Sequence, residues 1–140
     1  MLKDQFAKVL DEFADLIQED IYLDDNNSAS FMVDDDIIIN INYLEQSDTI
    51  VMFSPVGSLG ENGDAGKKAE ALLKLNDIGC DVTGRVTLML DPEVDLILAA
   101  DRQSALGITS RDELSAWIEV LVKAVRSTRE YFAVHFPVEE

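Results

Sequence analysis

Three consecutive aspartates, Asp34-Asp35-Asp36, a lysine pair behind a glycine, Gly66-Lys67-Lys68, and the lone His135, Cys80 and Trp117 are the residues of this chain best suited to chemistry. An oxygen-ligated metal site needs donors converging from several positions, and consecutive residues of a tight turn diverge. The aspartates therefore read as a solvated turn. A phosphate-binding loop needs glycine five residues before Gly66 and a hydroxyl after the first lysine, but Glu61 and Lys68 stand there. That segment reads as a connector. His135 falls near the carboxyl end, after the last expected helix, with no nucleophile and carboxylate placed beside it to form a triad. Cys80 has no second cysteine to pair with and no adjacent base to hold a thiolate, so a reduced structural thiol is expected. Trp117 lies on a helical apolar stripe and is expected in the core. Neither enzymatic turnover nor a metal or other cofactor is expected.

The elements that would carry these residues follow from periodicity. Leu2, Phe6, Val9, Leu10, Phe13, Leu16 and Ile17 recur at helical spacing and predict an amphipathic helix ending near Asp20. Ala29, Phe31 and Val33 alternate with polar neighbours, and Ile37, Ile39, Ile41 and Tyr43 share one face of a second strand. Thr49 to Val56 is β-branched and aromatic, with Pro55 expected to end its ladder. A short second helix is expected from a cap at Asp64 through Leu75, its face marked by Ala65, Ala69, Leu72 and Leu73 and its end by Asn76 and Gly79. Val86, Leu88 and Leu90, then Leu96, Leu98 and Ala100, give two strands about the Asp91-Pro92-Glu93 turn. Ser110-Arg111-Asp112-Glu113 has the form of a capping box before a long last helix marked by Leu114, Trp117, Ile118, Leu121, Val122, Val125 and Phe132. The order α, three strands, α, two strands, α predicts an α+β fold, a twisted antiparallel sheet packed against helices. One domain over residues 1–140 is expected, with a tail from about 131.

Composition narrows the partners. The formal charge is −17, with 2 basic and 15 acidic residues up to Gly66 and 9 basic and 13 acidic after it. Such a chain is a poor ligand for nucleic acid. No apolar run approaches the ~20 residues of a membrane span, and an acidic beginning without an apolar stretch is unlike a signal peptide, so a cytoplasmic protein is expected. Apolar residues also lie opposite the main alternation of the strands: Met32, Ile38, Val51, Phe53, Met89 and Ile97. One sheet face packed on helices leaves some of this area over, and exposed apolar area marks interaction surfaces.

Several stretches resemble the Tir chaperone family, the class I chaperones of type III secretion. They are Asp34 to Ile41, Asp48-Thr49-Ile50-Val51-Met52-Phe53-Ser54-Pro55-Val56-Gly57, Ala71-Leu72-Leu73-Lys74-Leu75-Asn76 and Thr87-Leu88-Met89-Leu90-Asp91-Pro92-Glu93. The chain departs from the family at Val94-Asp95, where glycine is frequent, and in its glycine-rich Gly57–Gly66 stretch. The resemblance implies a bacterial cytoplasmic homodimer that binds an extended amino-terminal segment of a secreted effector, with the secretion apparatus ATPase as a further partner. It implies effector contacts on the first helix and sheet, at Leu2, Phe6, Leu10, Phe13, Phe31, Val33 and Ile41. It places the dimer interface on the second helix and fourth strand, at Ala69, Leu72, Leu73, Val86 and Leu88. The competing reading is a regulatory or scaffold domain of similar fold that binds folded partners.

Overall fold

The computed structural model describes residues 2–60, 65–77, 82–91, 93 and 95–136. The calls on Asp64, Gly79, Cys80 and Pro92 lie outside them. The first helix, α1 (Leu2–Ile17), buries Phe6, Val9, Leu10, Phe13 and Ala14, each large side chain contributing about 1.5–3 kcal/mol. It stops short of Asp20 because Gln18 turns left-handed, at φ 58°. The Glu19 and Gln18 amides then reach back to the Ala14 and Asp15 carbonyls and close the helix end as a Schellman motif.

The strands are β1 (Ser28–Val33), β2 (Ile37–Leu44), β3 (Thr49–Ser58), β4 (Thr87–Asp91) and β5 (Leu96–Ser104), joined antiparallel in the order β1-β2-β3-β5-β4. The three aspartates form the β1–β2 turn. Asp34 and Asp35 both take positive φ, which aspartate tolerates better than most residues. Ile37, Ile39, Ile41 and Tyr43 face the core, as do Ile50 and Met52.

Two expectations about the strands are corrected. β3 runs through Pro55 to Ser58, because its pairing with β5 continues past the proline, with an irregularity between Pro55 and Gly57. Only the β2 side of the ladder stops, at Asn40 opposite Phe53. In β5 the buried side chains are Ile97 and Ala99, not Leu96, Leu98 and Ala100. Ala99 is registered with the buried Ser54, and directly opposed residues share a face.

α2 (Ala65–Leu75) buries Ala71, Leu72 and Leu75, about a third of a turn away from the expected face, and leaves Leu73 exposed. After a 3-10 turn at Ala105–Gly107, α3 (Arg111–His135) starts at the expected cap, with the Glu113 amide donating to Ser110 Oγ at 3.2 Å. The Thr109 hydroxyl donates to the Glu113 carboxylate at 2.6 Å and holds its pKa below the usual value. α3 continues through the segment expected as a tail, so His135 is in its last turn and stacked on Tyr131. α1 and α3 cover one sheet face. The Phe6–Tyr43 and Phe13–Phe31 ring pairs, 5.8 and 5.7 Å between centroids, fix α1 over β2 and β1.

Candidate functional site

The residues best suited to chemistry are dispersed, and Asp34, Asp36, Trp117 and His135 each have a structural partner. Asp34 pairs with Arg126, and Asp36 with Arg126 and Arg129 at 3.8 and 3.9 Å. Trp117 Nε1 donates to Asp101 at 2.8 Å, and Arg85 approaches the same carboxylate at 3.3 Å. His135 Nδ1 lies 3.0 Å from the Tyr131 carbonyl. Tyr43 donates to Asp48 at 2.6 Å; burial first, then that carboxylate, raises its phenol pKa. Among the described residues no group of three His, Cys, Asp or Glu is placed to hold a metal.

What the fold does leave open is main chain and apolar surface. A sheet edge exposes alternate amides and carbonyls and invites another strand unless something blocks it. The β4 edge is blocked: the Asn76 side chain accepts from the Leu88 amide at 2.7 Å and donates to the Leu88 carbonyl at 2.8 Å. At the β1 edge the Tyr43 amide donates to the Asn27 carbonyl, so odd-numbered residues from Asn27 to Val33 face β2 and Ser28, Ser30 and Met32 face outward. Ser28 is already taken. Its carbonyl accepts from the Asp24 amide and its amide donates to the Asp24 carboxylate, at 2.9 and 3.0 Å. The outward amides and carbonyls of Ser30 and Met32 have no partner among the described residues. Beside them runs a groove between β1 and the segment after α1, lined by Asp20, Ile21, Tyr22, Asp24, Ser28, Ala29 and Ser30. Tyr22 is 73% exposed.

The sheet face away from the helices carries rows set by register. Met32 opposes Ile38, and Pro55, Leu98 and Met89 oppose one another in turn. One rung separates Ile38 and Pro55 from the paired Asn40 and Phe53, which brings the two groups into line as an apolar band across the strands. Met32, Ile38 and Met89 are each more than 40% exposed. The next two rows are polar at their β1 ends: the Ser30 hydroxyl donates to Asn40 Oδ1 at 2.8 Å, and Ser28 to Asn42 at 2.7 Å.

Comparison with known proteins shows which family this fold belongs to. The sequence profile of the Tir chaperone protein (CesT) family matches residues 8–129. The chain belongs to that family. No curated protein matches its sequence. Solved structures share the fold at low identity. A chain of the ExsC–ExsE complex superposes with TM-score 0.73 at 14% identity, covering 91% of this chain and 93% of that one. A chain from the complex of the Yersinia pestis type III secretion chaperone SycH with a fragment of YscM2 gives 0.64 at 19% identity, covering 87% and 98%. YbjN from E. coli, a candidate transcription regulator, gives 0.65 at 12%, covering 91% and 92%.

Within this Tir chaperone fold, the residues singled out for effector contact divide sharply. Phe6, Leu10 and Phe13 of α1 and Phe31 and Ile41 of the sheet are buried between the helices and the sheet, and Leu2 and Val33 are half-buried. In the free chain those five are core. Of the residues expected at a dimer interface, Leu72, Val86 and Leu88 are buried within the chain, Ala69 is half-buried and Leu73 is 78% exposed. Met32, Ile38 and Met89 were visible as apolar residues on the opposite strand parity. Ser30 was not, because an unpaired edge is a property of strand order.

Proposed function

We propose that the protein is a type III secretion chaperone that holds an extended segment of a secreted effector as an added strand on β1. The observation that carries this is the open edge at Ser30 and Met32, beside the groove at Ile21 and Tyr22 and continuous with the outer apolar band. An added strand gains main-chain hydrogen bonds at the edge, and pockets for alternate side chains give it specificity. The binding consumes no nucleotide and turns over no substrate. The family points to the bacterial cytoplasm as its place of work; among the described residues no helix is long and apolar enough to cross a membrane. A homodimer fits the same reading, with the exposed Leu73 of α2 and Leu90 of β4 as apolar surface for a second copy.

The test is amide hydrogen exchange on the chaperone with and without an amino-terminal effector fragment, obtained by co-expression with secreted products of neighbouring reading frames. Protection gained at Ser30 and Met32 is the expected result. A bound fragment that leaves both amides exchanging as in the free protein would sink the β1 assignment.

A further inference from the structure

The β1 edge carries enough asymmetry to specify what kind of strand it accepts. This inference rests on the strand-addition reading above. Every strand pair in the sheet is antiparallel, so the incoming strand is taken as antiparallel to β1. Its first paired residue then lies opposite Met32, its third opposite Ser30, and its fifth reaches Ser28, where the Asp24 turn occupies the edge.

Each position has a distinct neighbour. The first extends the outward band of Met32 and Ile38, so it is apolar. The second points to the core side at the level of Phe31, which is packed against Phe13 of α1, so it too is apolar. The third joins the Ser30–Asn40 hydroxyl–amide row and is best matched by serine or threonine. The fourth and fifth come level with Ala29 and Ser28, in the groove lined by Asp20 and Asp24. Beyond that groove Asp4 and Asp11 line the other side of the same segment, where the lysines are Lys3 and Lys8, and Lys3 is paired with Glu45 at 2.6 Å. The field at that end is negative.

We propose that the accepted strand reads, from its amino end, apolar, apolar, serine or threonine, and then lysine or arginine within the next two residues. The chemistry of the partner is thus a short amphipathic strand with a basic carboxyl-terminal end, held in one register by a polar row on one side and an apolar row on the other.

The experiment is an NMR titration of the 15N-labelled full-length chain with synthetic ten-residue peptides containing Val-Val-Thr-Ser-Lys. Four peptides are compared: the parent, one with lysine replaced by glutamine, one with lysine replaced by glutamate, and one N-methylated at the threonine. The parent is expected to shift the Ser30 and Met32 amides and to bind about threefold to fivefold more tightly than the glutamine peptide, the worth of an exposed ion pair. That margin shrinks as salt is added. In Asp20→Lys the preference reverses in favour of the glutamate peptide, an outcome that loss of structure alone does not produce. Equal binding of lysine, glutamine and glutamate peptides, with the N-methylated one inactive, overturns the basic-end assignment and leaves strand addition standing. Undiminished binding of the N-methylated peptide, or no shift at Ser30 and Met32 with any peptide, overturns strand addition itself.

Discussion

Proline has no amide hydrogen, so at Pro55 the β2–β3 ladder has nothing to continue with on that side, and a guanidinium takes over. Arg129 donates through Nε to the Val56 carbonyl at 3.0 Å and through its two terminal nitrogens to the carbonyls of Asp36 and Pro55, at 2.9 and 3.1 Å. One planar fork thus joins the β1–β2 turn to the far end of β3. An ammonium on a flexible stem cannot hold three acceptors in that plane. Arg129→Lys is therefore expected to lower stability by about 1–3 kcal/mol, read as a lower urea midpoint at unchanged slope. An unchanged midpoint would mean that the clamp contributes nothing. At Gln18 the opposite sign is expected. Its φ of 58° costs a side chain but not glycine, and the Schellman bonds are main-chain, so Gln18→Gly should stabilise by about 1 kcal/mol. Thermal unfolding measures it, and a lower midpoint would show that glycine's extra freedom in the unfolded chain outweighs the relieved strain.

At the scale of elements, α1 and β1 differ in exposure, and on the proposed reading they play different parts although both carry residues expected to touch an effector. Phe6 and Leu10 are each 1% exposed, on the stripe that seats α1 over the sheet. A carboxylate there has no partner, and Phe6→Asp or Leu10→Asp is expected to cost more than ~4 kcal/mol and to remove native circular dichroism. Met32 is 49% exposed on the outer face, so Met32→Lys should stay folded and lose effector capture in a pull-down. A folded Phe6→Asp that fails in capture would return α1 to the contact surface. The order of elements and most of their boundaries follow from periodicity, because α1, β2 and α3 have one wet and one dry face. Periodicity failed where both parities were apolar. In Leu96-Ile97-Leu98-Ala99-Ala100 the buried pair is selected by register with β3, which no local pattern contains. The same ambiguity governs the site. Met32 and Ile38 stood out as leftover apolar residues, yet which parity faces the helices, and which strand lies at an edge, are settled only when the sheet is assembled.

The charge acts on the whole molecule. Thirteen of the seventeen net negative charges fall before Lys67, the part of the chain that contains α1 and the open edge. A one-signed surface attracts basic partners from a distance and resists compaction and self-association. Salt should therefore strengthen two observables and weaken a third. Thermal stability of the free protein should rise between low and moderate ionic strength, because self-repulsion is screened. Dimer formation should tighten for the same reason, since both copies carry −17. Capture of a basic effector strand should weaken. Light scattering at micromolar concentration is expected to return twice the 15.5 kDa chain mass, and Leu73→Lys, at a position 78% exposed in the single chain, should return a folded species at the chain mass. A wild-type monomer at every salt concentration would remove the second copy from the proposed function. If wild type dimerises and Leu73→Lys does so equally well, the dimer exists but α2 does not form it, and the band with the exposed Met89 and the half-buried Leu98 becomes the next surface to test. The Met89→Lys and Leu73→Lys variants separate these outcomes without touching the core, because both positions face solvent in the folded chain.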